Sequence, residues 1–331
     1  MTPTPPPYTV TPAISTLAIR IGEALGRAES RAEGENLHLR RINRIRTIRG
    51  SLAIEGNTLS DGQIATILEG RPVIAPPREI REARNALAAY DMFPQWDPAN
   101  EADLFTAHET LMAGLLDVPG RYRRSGAVVA ADGTVHHTAP SADRVSGAMA
   151  NLLSWLGGTG EHPLIASSVF HYEFEFIHPF EDGNGRMGRL RQTSILTRWN
   201  PLFAYIPVES MVHARQGDYY TAIQESSARG ESTPFIVFML EAILEALRTP
   251  QQTPQETPQV QRLLSVLRGE MSGREILHLL GLNDRKSFRR RYLLPALERG
   301  YVEMTNPASP RARNQRYRLT ARGQAMLRDR G

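Results

Sequence analysis

The chain has 331 residues, 41% hydrophobic and 22% charged, with a formal net charge of +4. These are the proportions of an ordinary soluble protein with roughly two or three domains. The absence of cysteine excludes disulfides and thiolate zinc sites, and no apolar run approaches the roughly 20 residues of a membrane span.

The N-terminal "MTPTPPPYTVTP" lacks the charged-then-apolar order of a secretory signal, and its prolines suggest an extended arm. Residues 1–34 are read as this arm and the start of a helical region, and a cytoplasmic location fits. "LHLRRINRIRTIRGSLAIEGN" then places Ile42, Ile45, Ile48 and Leu52 three or four apart, an amphipathic helix with Gly56 and Asn57 as stop signals just beyond Glu55. Ser51 and Glu55 are four apart and share a face, although a glutamate at a helix end opposes the helix dipole. "PREIREARNALAAYDMF", "ADLFTAHETLMAGLL", "SADRVSGAMANLLSWL", "PLIASSVFHYEFEFI" and "PFIVFMLEAILEALR" read as further helices, the last with Pro234 in its first turn.

"GAVVAADGTVHHTAP" interrupts them, with two strand-like runs around Asp132-Gly133, a hairpin signal. A lone hairpin leaves an open edge that needs a use or a cover. His136 and His137 lie on it, where solvated strand residues compete with metal binding as a reading.

"HPFEDGNGRMGR" at 178–189 concentrates groups that act on phosphate. Pro179 disfavours helix at His178, so the preceding helix ends there and presents His178, a candidate general base, at a loop mouth. Gly183, Asn184 and Gly185 can adopt positive φ and turn N–H groups inward as an anion nest. The next helix starts near Gly185 and aims its N-terminus at the same spot. Arg186 and Arg189, three apart, are expected to share a face and reach a phosphate chain with forked donors. Asp182 is a hard oxygen ligand where magnesium would bridge phosphates. Each residue alone has an ordinary structural explanation; the conjunction points to phosphate chemistry.

"RTPQQTPQETPQ" marks a linker, taken as 248–258, after a domain at 35–247. From Gln259 to the end there are sixteen Arg or Lys against six acids, a net of +10 against −6 for the remainder. In 259–331, "QRLLSVLRG", "SGREILHLLGL" and "DRKSFRRRYLLPALERG" read as three helices, and "YVEMTN" and "QRYRLT" as two strands around "PASPRAR": the winged helix-turn-helix order. Arg285, Lys286, Arg289 and Arg290 fall on the second helix of its helix-turn-helix pair, and Arg311, Arg313 and Arg316 in or near the wing.

The stretch at 178–189 resembles the Fic family signature H-P-F-x-[DE]-G-N-G-R-x-x-R and matches every fixed position. The resemblance covers about residues 35–245. It implies a mainly α fold, a Fic-type helical bundle with a β-hairpin flap, and here a winged helix-turn-helix domain follows, as on some bacterial Fic proteins. It also implies a protein adenylyltransferase, moving AMP from ATP to a Ser, Thr or Tyr hydroxyl of a protein, itself included. On that reading His178 takes the hydroxyl proton and Asp182 holds Mg2+. Gly183, Asn184 and Gly185 cradle the phosphates, and Arg186 and Arg189 bind the β/γ end. The flap, with Val128, Val129, Thr134, Val135 and His136, would align a target segment by strand addition. "SLAIEGN" resembles the family's inhibitory motif [ST]-x-x-x-E-[GN]. By that resemblance, Ser51 and Glu55 form a brake in which Glu55 pairs with Arg189 in place of the γ-phosphate. The family also implies a homodimer and no membrane partner. Two other readings stay open: a DNA-binding regulator whose Fic domain senses nucleotide, and removal of AMP with Glu55 aligning a water. The basic module fits DNA, a protein or self contact, or no partner.

Overall fold

The computed structural model describes residues 3–32, 37–131, 134–248, 258–298, 300–306, 312 and 315–328. The chain divides into two compact units, Met1–Pro250 and Gln251–Gly331.

In the first unit, residues 3–11 form the extended arm that the prolines suggest. Asn151 grips it through both amide atoms, at 2.8 Å to the N–H and to the carbonyl of Thr4. Helices α1 (Pro12–Ala32), α2 (Leu37–Ile54), α3 (Asp61–Leu68), α4 (Pro77–Met92) and α5 (Glu101–Met112) follow. The α1 helix was not singled out from sequence, yet it buries Ile14, Leu17, Ile21 and Leu25, spaced three or four apart. Ser60 starts α3 with a capping box: its Oγ accepts from the Gln63 N–H at 3.3 Å and its own N–H donates to Gln63 Oε1 at 2.9 Å.

The hairpin comprises β1 (Val128–Ala131) and β2 (Thr134–Thr138); its turn, Asp132-Gly133, lies outside the described residues. Pairing runs Val129 with His137 and Ala130 with Val135, so His136 is the extra residue of a bulge. No third strand joins this pair among the described residues. Then come α6 (Ala142–Gly158), α7 (Pro163–Ile177), α8 (Asn184–Trp199), α9 (Val208–Ala214), α10 (Gln216–Arg229) and α11 (Thr233–Arg248). Nearly every residue of α7 is buried, as befits a helix packed between α6, α8 and α11. That central pair, α7 and α8, delivers the loop 178–183 between them.

The second unit comprises α12 (Pro258–Val266), β3 (Met271–Ser272), α13 (Gly273–Leu279), α14 (Arg285–Phe288), α15 (Leu294–Glu298), β4 (Val302–Met304), β5 (Arg316–Leu319) and α16 (Ala321–Arg328). A π-helical turn, Arg289–Leu293, joins α14 to α15. The strands form an antiparallel sheet in the order β3-β5-β4 over a core that includes Val260, Leu264, Ile276, Phe288 and Tyr317. The two-residue β3 and the final helix are additions to the helices and strands expected from sequence. Arg311 and Arg313, and most of the 248–258 linker, lie outside the described residues. Among those described, no helix is long and apolar enough to cross a membrane.

Candidate functional site

Pro179 ends α7 at Ile177, and the chain turns at His178 with φ 49° and ψ 62°. Among the described residues His178 is the only non-glycine with positive φ. Such a conformation costs on the order of 1–3 kcal/mol and persists only when its surroundings enforce it. Arg123 supplies much of that enforcement. Its Nε donates to the His178 carbonyl at 2.7 Å, and its terminal nitrogens donate to Ser125, Pro140 and Ile177 carbonyls at 2.6, 2.5 and 3.3 Å. Its own N–H donates to the Pro179 carbonyl at 2.9 Å. Nothing in the local sequence around Arg123 signals this role.

Phe180, fully buried, anchors the loop by stacking on His108, with ring centroids 3.8 Å apart. The Gly120 N–H donates to His108 Nδ1 at 2.8 Å, so Nε2 carries the proton and donates to the Asp182 carbonyl at 3.0 Å. Burial pushes His108 down to about 4, which keeps the ring neutral.

Asn184 closes the loop on itself. Its Oδ1 accepts from the Phe180 N–H and its Nδ2 donates to the Phe180 carbonyl, both at 2.9 Å. That side chain serves the loop's shape. The expected run of positive φ is confined to Gly183, at 83°, because Asn184 and Gly185 already belong to α8. No side chain caps α8 at Gly183, so its first-turn N–H groups keep no side-chain acceptor.

Around this loop lies a cavity of 200 Å³. Its lining comprises His178 and Glu181 to Gly185 from the loop and the start of α8, Arg189 and Glu55, and Glu175, Tyr219, Tyr220 and Ile223. Arg186 is not in the lining. Its buried guanidinium sits 3.2 Å from Asp182 Oδ1 and 3.8 Å from Glu82 Oε1. Three residues of helix turn about 300°, enough to send Arg189 into the cavity and Arg186 behind Asp182. The two arginines expected on one face thus have different partners here, Asp182 and Glu82 for Arg186 and Ser51 and Glu55 for Arg189.

Arg189 is nearly completely buried and fully engaged. Its Nε donates to Ser51 Oγ at 3.1 Å, and one terminal nitrogen donates to the Ser51 carbonyl at 3.0 Å and to Glu55 Oε1 at 2.6 Å. Burial works against the guanidinium's charge, but Glu55, joined by Tyr219 and Glu175, outweighs that and holds Arg189 above its ordinary range. Glu55 lies just past the end of α2, in a turn closed by the Asn57 N–H on the Leu52 carbonyl at 3.2 Å. A Cβ at position 185 would come within 2.4 Å of Glu55 Oε1, so only glycine there lets the carboxylate press onto α8.

Burial, then Arg123, pushes His178 down to about 4. Its Nδ1 is buried without a hydrogen-bond partner, 4.0 Å from Glu175 Oε2. Glu175 is buried too, and burial pushes it up to about 7. Beneath them Tyr219 meets His171 Nε2 at 3.2 Å, and His171 Nδ1 meets Gln192 at 2.6 Å. Sequence reading found neither Glu175 nor Tyr219. The available signal was Glu175 three residues before His178, on the inward side of the same helix.

Asp182 is the carboxylate suited to a divalent cation. Its side chain is 40% exposed, and Oδ2 meets only exposed Arg78, at 3.4 Å. No cluster of three or more His, Asp or Glu that could hold a metal occurs among the described residues, so phosphate and water oxygens would have to complete the shell. The hairpin strand β2 packs beside α10, the helix that brings Tyr219, Tyr220 and Ile223 to the cavity. This sets the backbone of Thr134, Val135 and His136 in β2 beside that helix, with Val128 and Val129 on the paired strand β1.

Residues 96–196 match the Fic/DOC family model, and residues 258–320 match the model described as "Filamentation induced by cAMP protein Fic-like, C-terminal domain". The chain is similar to a Fic family protein from Desulfovibrio desulfuricans G20 of known crystal structure, at 50% identity and a TM-score of 0.73, over 96% of this chain and 99% of that one. It is 30% identical over 230 residues to the protein adenylyltransferase Fic of Aedes aegypti, which is 65% of this chain and 44% of the relative. To the protein adenylyltransferase fic-1 of Caenorhabditis elegans it is 28% identical over 203 residues, 57% of this chain and 37% of the relative. The chain thus spans less than half the length of these curated relatives.

Proposed function

The chain belongs to the Fic/DOC family, and from that premise we propose that it is a protein adenylyltransferase held in check by its own Glu55. The observation that carries this reading is that His178, Asp182 and the uncapped start of α8 share one cavity with an Arg189 already occupied by a carboxylate. Residues 35–247 are the catalytic part in this reading.

In the step proposed, a hydroxyl oxygen of a protein side chain attacks the α-phosphorus of ATP. The bond to the β-phosphate breaks, pyrophosphate leaves, and the hydroxyl proton passes to His178. Burial keeps that imidazole neutral at pH 7, so it can accept a proton, and Nδ1 is buried beside Glu175, which leaves Nε2 for the substrate. A magnesium ion held by Asp182 would neutralise phosphate charge. The α8 N-terminus and Arg189 bind the anionic chain and hold the α-phosphorus in line with the incoming hydroxyl. The free edges of the hairpin support alignment of an extended target segment through main-chain bonds.

Glu55 and the triphosphate compete for one guanidinium. Opposite charges about 4 Å apart at an effective dielectric near 20 attract by roughly 4 kcal/mol before desolvation. Losing a net of about 3 kcal/mol corresponds to about 150-fold in productive nucleotide binding. The test is mass spectrometry of purified wild type, Glu55→Gly and His178→Ala after incubation with magnesium and ATP. Self-modification by AMP should rise about 150-fold in Glu55→Gly and vanish in a His178→Ala/Glu55→Gly double variant. A Glu55→Gly protein no faster than wild type would remove the brake. AMP release from a modified protein by wild type but not by Glu55→Gly would assign the reverse reaction instead.

A further inference from the structure

Two sets of cations in the second unit, those of β5 and those of the run from α14 to α15, have different surroundings. On β5, Arg316 sits 3.5 Å from Glu275 and donates to the Glu270 carbonyl at 2.8 Å, while Arg318 pairs with Glu303 at 2.6 Å and with Glu270 at 3.4 Å. These charges are neutralised within the fold. On the helical run from α14 to α15, Arg285, Lys286, Arg289, Arg290 and Arg291 are all exposed, and none has an ion-pair partner among the described residues.

The run is a continuation of a helix-turn-helix. After α13 the chain turns at Leu280–Asp284, and Asp284 caps the next helix by accepting from the Lys286 and Ser287 N–H groups at 2.9 and 3.1 Å. Phe288, Tyr292, Leu293 and Ala296 fix the opposite side of the run in the core. The cations therefore face solvent, where an anionic partner can reach them.

We propose that the exposed face carrying Arg285, Lys286, Arg289 and Arg290 binds double-stranded DNA, seated in the major groove and gripping the flanking phosphates. The neighbours at i, i+1, i+4 and i+5 spread the charges across a broad side of one helix, which suits the two phosphate walls of a groove about 12 Å wide. Arginine's planar fork matches phosphate oxygens and the acceptor edge of guanine. The deep, narrow major groove of double-stranded RNA does not admit a helix, so that duplex fits less well. The β5 arginines, already paired, contribute little.

The test uses the full chain and a labelled mixed-sequence DNA duplex, followed by fluorescence anisotropy from about 50 to 200 mM salt. Four phosphate contacts give a slope of log affinity against log salt near −3.6, so affinity should fall by roughly 10²-fold over that range. Replacing Arg285, Lys286, Arg289 and Arg290 together by alanine should abolish most of that slope and weaken binding at least tenfold at the low-salt end. Replacing Arg316 and Arg318 should change binding less than about threefold, with circular dichroism confirming that both variants stay folded. No binding at low salt, or equal binding by the fourfold variant, overturns the proposal. So does competition by poly-aspartate as effective as by duplex, or tighter binding of single-stranded RNA, either of which reassigns the face. AMP transfer should be unchanged in the fourfold variant, so failure here leaves the catalytic reading intact.

Discussion

Two sets of arginines in this chain have opposite surroundings. Arg123, Arg186 and Arg189 are at most 5% exposed, each held by carbonyls or carboxylates of the fold. Arg285, Arg289, Arg290 and Arg291 stand in solvent, and no acid meets them among the described residues. A buried guanidinium comes with its partner built in, so its work is to hold a shape or to exchange that partner for another anion. An exposed, unpaired guanidinium is free to meet an anion from outside the fold. The brake proposed at Arg189 would be the first case with the exchange poised, since Glu55 is the more exposed member of the pair, at 34% against 2%.

The largest effect that would break this comparison is at Arg189. In the Glu55→Gly background, Arg189→Ala should lower AMP incorporation by on the order of 10²–10³-fold, the usual loss for a donor aimed at developing phosphate charge. Arg189→Lys should recover only part, because a point charge lacks the fork. If Glu55→Gly/Arg189→Ala transferred AMP as fast as Glu55→Gly, Arg189 would be a scaffold residue like Arg123, and the exchange would have no anion to act on.

Next in size is Arg123. Its replacement by alanine strips donors from four carbonyls around a strained His178. Leaving such groups buried and unpaired should cost about 4 kcal/mol of stability. Urea unfolding followed by tryptophan fluorescence reads this directly, because Trp96, Trp155 and Trp199 all lie in the first unit. Arg290→Ala, by contrast, should shift its own unit's stability by no more than about 0.5 kcal/mol. Equal costs at the two positions would erase the distinction between inward and outward partners.

The same division explains what could be read from sequence. Spacing put Ser51 and Glu55 on one face, and Pro179 put His178 at a loop mouth, whereas the meeting of Glu55 with Arg189 across the chain was legible only through the likeness to the Fic motifs. The extended arm and the hairpin followed from proline and from Asp132-Gly133. Spacing alone did not show that Arg186 meets Asp182 and Glu82 while Arg189 lines the cavity, because residues three apart on a helix are offset by a sixth of a turn. The side-chain part of Asn184, whose amide closes the loop against the Phe180 backbone, was not legible from sequence. Arg123, His108 and Tyr219 were invisible, since each reaches the loop from an element far away in the chain, and no local pattern distinguishes Arg123 from 38 other cationic residues. In the second unit, the two residues of β3 are too few for an alternation to register.

Glu175 offers a smaller and more selective probe, being a buried acid with no direct partner for Oε1. Burial raises it from 4.5 to about 7, with Arg189 opposing and Glu55 adding to the rise. A carboxyl whose folded value lies above its unfolded one binds more protons folded than unfolded between pH 4.5 and 7. It therefore removes stability as pH climbs through that window, by about 3 kcal/mol in full. His108, His171 and His178, lowered to about 4, 3 and 4 by burial, act in the opposite sense below their ordinary 6.5. Glu173, raised to about 7, adds a loss of its own. The informative quantity is thus the difference between wild type and Glu175→Gln, measured by urea unfolding from pH 5 to 8. The variant should gain on wild type steadily across that range and hold the gain above pH 7. A difference that stays flat with pH would mean that Glu175 is already ionised in the fold, compensated by Arg189, and that the guanidinium serves two acids at once.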